Sequence, residues 1–116
     1  DDVIKFVKRE IRRERKYDGI IMDPPAYGRG PSGELWKIED TLYELIELCS
    51  QLLSDKPIFF IINSYASTLT PLLIENIMGI LLLEPYGGQI ETFELGLGIA
   101  NGGMVLPCGI TGRWVL

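Results

Sequence analysis

The chain has no histidine and only two cysteines in 116 residues. Without histidine, these residues can build neither a histidine-based catalytic triad nor a histidine metal site. Cys49 and Cys108 have no metal-ligand or redox spacing, and Cys49 falls on the apolar stripe of a helical pattern. Both therefore read as reduced thiols, which fits a cytoplasmic setting, and no metal is expected. Long apolar runs are missing too: the longest, 77–83, contains Gly79 and is far too short to span a bilayer, so no membrane segment is expected. Basic residues run out early. Residues 1–37 hold nine of the 11 Lys and Arg against seven acids, and residues 38–116 hold only Lys56 and Arg113 against nine. A net charge of −5 excludes a generally basic, nucleic-acid-coating surface. An anionic substrate would meet the first third of the chain; the plain alternative is a solvated, charged helix.

What is present suffices for one domain, with 47% apolar residues to form a core. Val3, Ile4, Phe6, Val7 and Ile11 recur at helical spacing among Lys and Arg, which predicts an amphipathic helix over 3–15. A short strand follows over 17–23. From Ile38 the 3.6-residue period returns through Leu42, Leu45, Ile46, Cys49 and Leu53, predicting a helix to about Ser54, ahead of Pro57. Ile58-Phe59-Phe60-Ile61-Ile62 is a continuous apolar run, as expected of a strand covered on both faces, and Asn63-Ser64-Tyr65 closes it. Thr70-Pro71 is a helix start, with threonine as cap and proline at the first helical position, for a third helix through Leu82. Residues 89–97 and 104–116 read as a terminal antiparallel hairpin around Asn101-Gly102-Gly103. This alternation predicts an α/β fold with parallel strands crossed by right-handed helical connections. The chain opens on Asp1-Asp2 with no initiator methionine and runs directly into a helix, so it is expected to be part of a longer protein.

The best functional lead is the junction Asp23-Pro24-Pro25, where the first strand stops ahead of the glycine-broken stretch 26–34. Open α/β sheets place ligands at the carboxyl ends of their strands. Two prolines remove two backbone donors and fix φ, so strand pairing cannot continue, and Pro24 biases Asp23 towards an extended conformation. A rigid acceptor results, suited to gripping an amine or a hydroxyl; alternatively, Asp23 merely caps the turn. Gly28-Arg29-Gly30-Pro31-Ser32-Gly33 is not a phosphate-binding P-loop, since it lacks the Gly-Lys-Ser/Thr ending and follows an acid. Arg29 could hold a phosphate or carboxylate in a bidentate manner, or pair with Glu34. Trp36, at the opening of the next helix, reads as a packing anchor or as a stacking platform.

A hairpin after the last helix of a parallel sheet resembles the end of the class I S-adenosylmethionine-dependent methyltransferase fold. Asp23-Pro24-Pro25 resembles the fourth motif of that superfamily, at the end of its fourth strand. More narrowly, Phe6-Val7-Lys8-Arg9-Glu10, Tyr17-Asp18-Gly19-Ile20-Ile21, Asp23-Pro24-Pro25-Ala26-Tyr27-Gly28-Arg29-Gly30-Pro31 and Gly33-Glu34-Leu35-Trp36-Lys37 are similar to bacterial methyltransferases related to the 23S rRNA cytosine methyltransferases. The resemblance covers the whole chain and implies the carboxyl-terminal half of a catalytic domain over 1–116. It implies a partial Rossmann-like methyltransferase sheet, strands four to seven of the order three, two, one, four, five, seven, six, with the glycine-rich cofactor loop upstream.

The resemblance also implies roles. S-adenosyl-L-methionine would be the cofactor, with Asp2 (or Asp1) meeting its adenine amine and Asp23 and Pro25 lining its site. Asp23 and the Pro24 carbonyl would accept hydrogen bonds from the substrate, and Tyr27 would stack on a flat acceptor; Arg29, Asn63 and Tyr65 would be substrate-side residues. RNA, as in rRNA processing, would be the substrate of the parent protein. Two departures bear on the reaction. Relatives that methylate cytosine at carbon use a cysteine near the end of the fifth strand, where this chain has Asn63-Ser64-Tyr65, which disfavours that chemistry and favours amine or other heteroatom acceptors. The aromatic residue after the prolines is displaced by one position, to Tyr27.

Two functions follow. One is an enzyme, the substrate-side half of a methyltransferase, inactive in isolation. The other is a non-catalytic module whose exposed sheet edge serves dimerisation or partner binding.

Overall fold

The computed structural model describes residues 2–30 and 32–116; Asp1, the alternative to Asp2, and Pro31 lie outside them. The first helix, α1 (Val3–Arg12), is capped by Asp2, whose Oδ1 accepts from the N–H groups of Ile4 (2.9 Å) and Lys5 (3.2 Å). It stops three residues before the expected end. Glu14 takes a φ of 56°, a left-handed conformation that the helix cannot continue through.

β1 (Gly19–Met22) leads to the Asp23-Pro24-Pro25 turn. The expected irregular stretch beyond it is instead a small antiparallel ribbon, β2 (Tyr27–Arg29) with β3 (Leu35–Lys37), which places Trp36 opposite Gly28. Trp36 therefore sits in a strand, not at the opening of a helix. Glycine closes the ribbon: Gly33 has a φ of 80°, and its N–H donates to the carbonyl of Gly30 at 3.0 Å. α2 (Ile38–Ser50) carries the predicted stripe, with Ile38, Leu42, Leu45, Ile46 and Cys49 all buried, and ends before the expected Ser54.

β4 (Phe59–Ser64) runs parallel to β1, with Ile21 opposite Ile61 and Met22 opposite Ile62. α3 (Pro71–Met78) begins as predicted, Thr70 Oγ1 accepting from the Leu73 N–H at 3.2 Å. It continues as a wider π-helical stretch (Gly79–Leu83) into one more turn, α4 (Glu84–Tyr86). Pro85 accounts for the widening, since it has no N–H to donate and its ring collides with the carbonyl four residues back. β5 (Gln89–Gly98) and β6 (Val105–Val115) form the predicted terminal hairpin, with a bulge between Glu94 and Gly96.

The main sheet has the order β1-β4-β6-β5, with β6 antiparallel to both neighbours. That is the four, five, seven, six arrangement the resemblance implied. Phe60, Ile62 and Trp114 are completely buried in one core with the apolar stripes of α2 and α3. Gly112 lets α3 come close, since a Cβ there would lie 2.5 Å from Ile74 and 2.7 Å from the Met78 sulfur. Within these 116 residues only one face of residues 58–62 is covered. Alternate residues Phe59 and Ile61 are only half-buried, Ile58 is exposed, and Ile21 beside Ile61 is 71% exposed. β1 forms one edge of the sheet. Among the described residues no helix is long and apolar enough to cross a membrane.

Candidate functional site

The carboxyl ends of β1 and β4 lie side by side, which brings residues from the two predicted strand ends together. Asn63, at the end of β4, donates through Nδ2 to Asp23 Oδ1 at 3.4 Å and to the Cys108 carbonyl at 3.4 Å. Its Oδ1 accepts from the Thr111 hydroxyl at 2.9 Å. Asp23 is itself exposed, so its carboxylate is aimed without being buried. The turn is fixed from below: Trp36 Nε1 donates to the Pro25 carbonyl at 2.9 Å, and the Ile38 N–H to the Ala26 carbonyl at 3.2 Å. The intervening Pro24 carbonyl accepts no hydrogen bond from the described residues. Of the two readings of Trp36, the anchor is the one its indole hydrogen bond supports.

A wide cleft of about 970 Å³ opens beside this turn. Asp2, Asp23, Pro24, Pro25 and Arg29 line it, with apolar walls from Val3, Ile4, Ile21 and Leu45. Five predicted site residues thus share one cavity. Asp2 enters it with one carboxylate oxygen already engaged as the cap of α1. Arg29 donates to the Gly33 carbonyl at 3.4 Å, and Glu34 folds back to accept from the Ser32 N–H at 2.9 Å. Among the described residues no ion pair joins Arg29 to Glu34.

Tyr27, Asn63 and Tyr65 do not line that cleft. Tyr27 and Tyr65 face a smaller one of about 280 Å³, along with Lys37 and Ala66. Both rings are more than half exposed, at 59% and 63%. Tyr65 is held at its far end, its hydroxyl donating to the Pro107 carbonyl at 2.6 Å. The Cys108 sulfur beside that hydroxyl pushes the phenol pKa up, with partial burial and the carboxylate of Asp23 adding to the effect. Tyr65 therefore remains a neutral donor at neutral pH and does not act as a base. Two turns at neighbouring strand ends thus carry an exposed carboxylate, an open carbonyl and two exposed aromatic rings.

The hairpin supplies what sequence reasoning missed. Cys108 and Thr111 reach the site because β6 inserts next to β4, placing Thr111 directly opposite Asn63. Gly109 permits the approach: its φ is 90°, and a Cβ there would lie 2.4 Å from the Ser64 carbonyl oxygen. That glycine is the one sequence signal for the contact. Cys49, by contrast, is a core residue whose thiol is pushed up to about 11 by burial, which leaves it unreactive.

No family model matches the chain, and no curated protein matches it. Solved structures do. A SAM-dependent methyltransferase from Agrobacterium tumefaciens aligns with a TM-score of 0.84 and 31% sequence identity, over 96% of this chain and 37% of its own. A Streptococcus mutans protein assigned to the SAM-dependent methyltransferases aligns over all of this chain and 30% of its own, with a TM-score of 0.66 and 17% identity. A protein assigned as a methyltransferase and complexed with SAH aligns over 99% of this chain and 30% of its own, at 0.61 and 21%. The last two bear on the fold alone. The described sheet and hairpin are those of a methyltransferase-like α/β fold, and the chain spans between 30% and 37% of the lengths of these three proteins.

Proposed function

We propose that these residues are the acceptor-side part of an S-adenosyl-L-methionine-dependent methyltransferase, with Asp23 positioning the group to be methylated. The observation that carries this is the 31% identical match to a SAM-dependent methyltransferase over 96% of the chain. The residues lining the larger cleft suit the cofactor: apolar Val3, Ile4 and Ile21 line it together with Asp2, whose remaining carboxylate oxygen can accept from an amine. The cofactor, when bound, supplies an already activated methyl group, so the protein needs to orient a nucleophile more than to deprotonate it.

Asp23 and the Pro24 carbonyl do the orienting. The carboxylate accepts from an amine or hydroxyl of the acceptor and balances positive charge as it develops there. Trp36 anchors the next carbonyl, that of Pro25, and Asn63 makes one long contact to the carboxylate. The exposed rings of Tyr27 and Tyr65 offer faces on which a flat acceptor can stack, a contact worth about 1 to 3 kcal/mol per base. Arg29 and the basic face of α1 support RNA as the substrate, as does the resemblance to rRNA methyltransferases. The lack of a cysteine in Asn63-Ser64-Tyr65 favours a heteroatom acceptor over cytosine carbon.

The test uses the full-length protein, because the chain spans 37% of its 31% identical relative. Asp23→Ala is expected to abolish methyl transfer from radiolabelled S-adenosylmethionine to total cellular RNA while leaving thermal unfolding unchanged. Undiminished transfer removes Asp23 from the mechanism. The 116 residues alone are expected to bind the cofactor weakly or not at all in a calorimetric titration, and micromolar binding would contradict this. The non-catalytic reading draws on the β1 edge and the exposed Ile21. Concentration-dependent dimerisation in light scattering, unaffected by cofactor, would favour it.

A further inference from the structure

Asp23, Asn63 and Thr111 form a row across three adjacent strand positions. Met22 pairs with Ile62 in the parallel ladder, so Asp23 follows in step with Asn63, and Asn63 pairs with Thr111 in the antiparallel one. All three lie on the face of the sheet that carries Ile21 and Ile61, opposite the packed core. Thr111 is nonetheless 6% exposed, whereas Asp23 is open to solvent. The row runs from a buried hydroxyl to an exposed carboxylate.

The central amide has two possible orientations, and its neighbours select one. At the Nδ2 end stand two groups that can only accept, the Asp23 carboxylate and the Cys108 carbonyl, each at 3.4 Å. At the Oδ1 end stands a hydroxyl donor at 2.9 Å. A flipped amide would set its own oxygen against a carboxylate and a carbonyl with no proton between them. The two contacts at 3.4 Å are long and weak, so they do not hold the amide on their own. The Thr111 bond is the short one and sets the amide plane.

We propose that Thr111 is a positioning residue: its hydroxyl locks the Asn63 amide so that Nδ2 donates to Asp23 and holds the carboxylate at the acceptor side. The functional consequence rests on the methyltransferase reading above; the orientation itself does not. Because Thr111 is on the hairpin, this makes β6 part of the acceptor site as well as of the sheet.

The experiment follows the Asn63 side-chain amide by NMR in full-length protein labelled with ¹⁵N at asparagine. In the parent protein, Asp23→Ala is expected to move the Asn63 Nδ2–H resonances. Thr111→Val, which removes the hydroxyl at constant volume, is expected to shift them, speed their exchange with solvent and abolish their response to Asp23→Ala. Thr111→Ser is expected to restore all three. If Thr111→Val does not fold, Thr111→Ala removes the same hydroxyl. Asn63 signals that ignore loss of the hydroxyl, or that Thr111→Ser does not restore, overturn the proposal. In the RNA methylation assay the same reading predicts about a fivefold fall in kcat for Thr111→Val with KM little changed, as for one lost hydrogen bond, and recovery in Thr111→Ser. Failure of the unmodified protein to methylate any RNA would overturn the reading of the substrate while the NMR result still decides the role of Thr111.

Discussion

Trp36 donates its indole N–H to the carbonyl of Pro25, 11 residues earlier, and so ties the small ribbon to the turn that presents Asp23. One hydrogen bond thereby links a piece of chain that reads as irregular to the turn two residues after Asp23. The turn has two prolines to restrict its own backbone, and this bond, that of Ile38 and the longer contact from Asn63 to Asp23 fasten it to the elements around it.

Trp36→Phe keeps the ring and deletes the bond. It is expected to cost about 1 kcal/mol of stability, the ordinary net worth of a neutral hydrogen bond. On the proposed reading, the effect on methyl transfer by the full-length protein should exceed that stability loss, because the Pro25 carbonyl, two residues after Asp23, loses its anchor. A urea titration beside a kinetic assay checks both; an activity loss no larger than the stability loss would show that the turn is rigid without Trp36.

Gly109→Ala should be among the costliest small substitutions in the hairpin. An alanine at a φ of 90° is strained by about 1 to 3 kcal/mol before any contact is considered. The Cβ would also meet the Ser64 carbonyl at 2.4 Å and push β6 away from the end of β4. Lowered thermal stability with a displaced Asn63 amide signal is expected; a wild-type melting temperature would mean that the hairpin yields freely at this point.

Glu10 and Tyr17 should limit stability at the two ends of the pH scale. Glu10 is 4% exposed and accepts from the Tyr17 hydroxyl at 2.6 Å. That hydrogen bond lowers the Glu10 pKa below its ordinary 4.5, against the opposing effect of burial and with help from Arg15 and Arg13. Its stabilisation is therefore complete above about pH 4.5 and is lost as pH falls through the lower folded value. The same bond raises the Tyr17 pKa above its ordinary 10.0, so that contribution is complete below pH 10 and is lost as pH rises through the higher folded value. Glu10→Gln is expected to be less stable than the parent by a constant amount between these limits, with the gap closing at both extremes. Denaturation midpoints measured from pH 3 to 11 would show it, and a gap independent of pH throughout would exclude the linkage.

Much of this architecture is legible in one dimension. Leu42, Leu45, Ile46 and Cys49 announce the buried face of α2 by their spacing, Thr70-Pro71 starts α3 by local chemistry, and Asp23-Pro24-Pro25 ends β1 because proline cannot pair onward. These are short-range effects, complete within a few residues. The ribbon over 27–37 was not legible, because Gly28, Gly30 and Gly33 fit a turn and an irregular stretch equally well.

Residues 58–62 mark the boundary most clearly. An apolar run identifies a strand but not what covers it, and here helices pack on the Phe60–Ile62 side while Ile21 and Ile61 look outward. Asn63, Asp23 and Thr111 show the same limit at the site. The sequence by itself determined that an acid sits at a strand end behind two prolines and that polar residues close the next strand. Only the tertiary structure decided the register that sets Thr111 opposite Asn63 and brings the Asn63 amide to Asp23. Strand order and register are set by packing between distant segments and by which backbone edges remain free to pair, and no local sequence pattern encodes either.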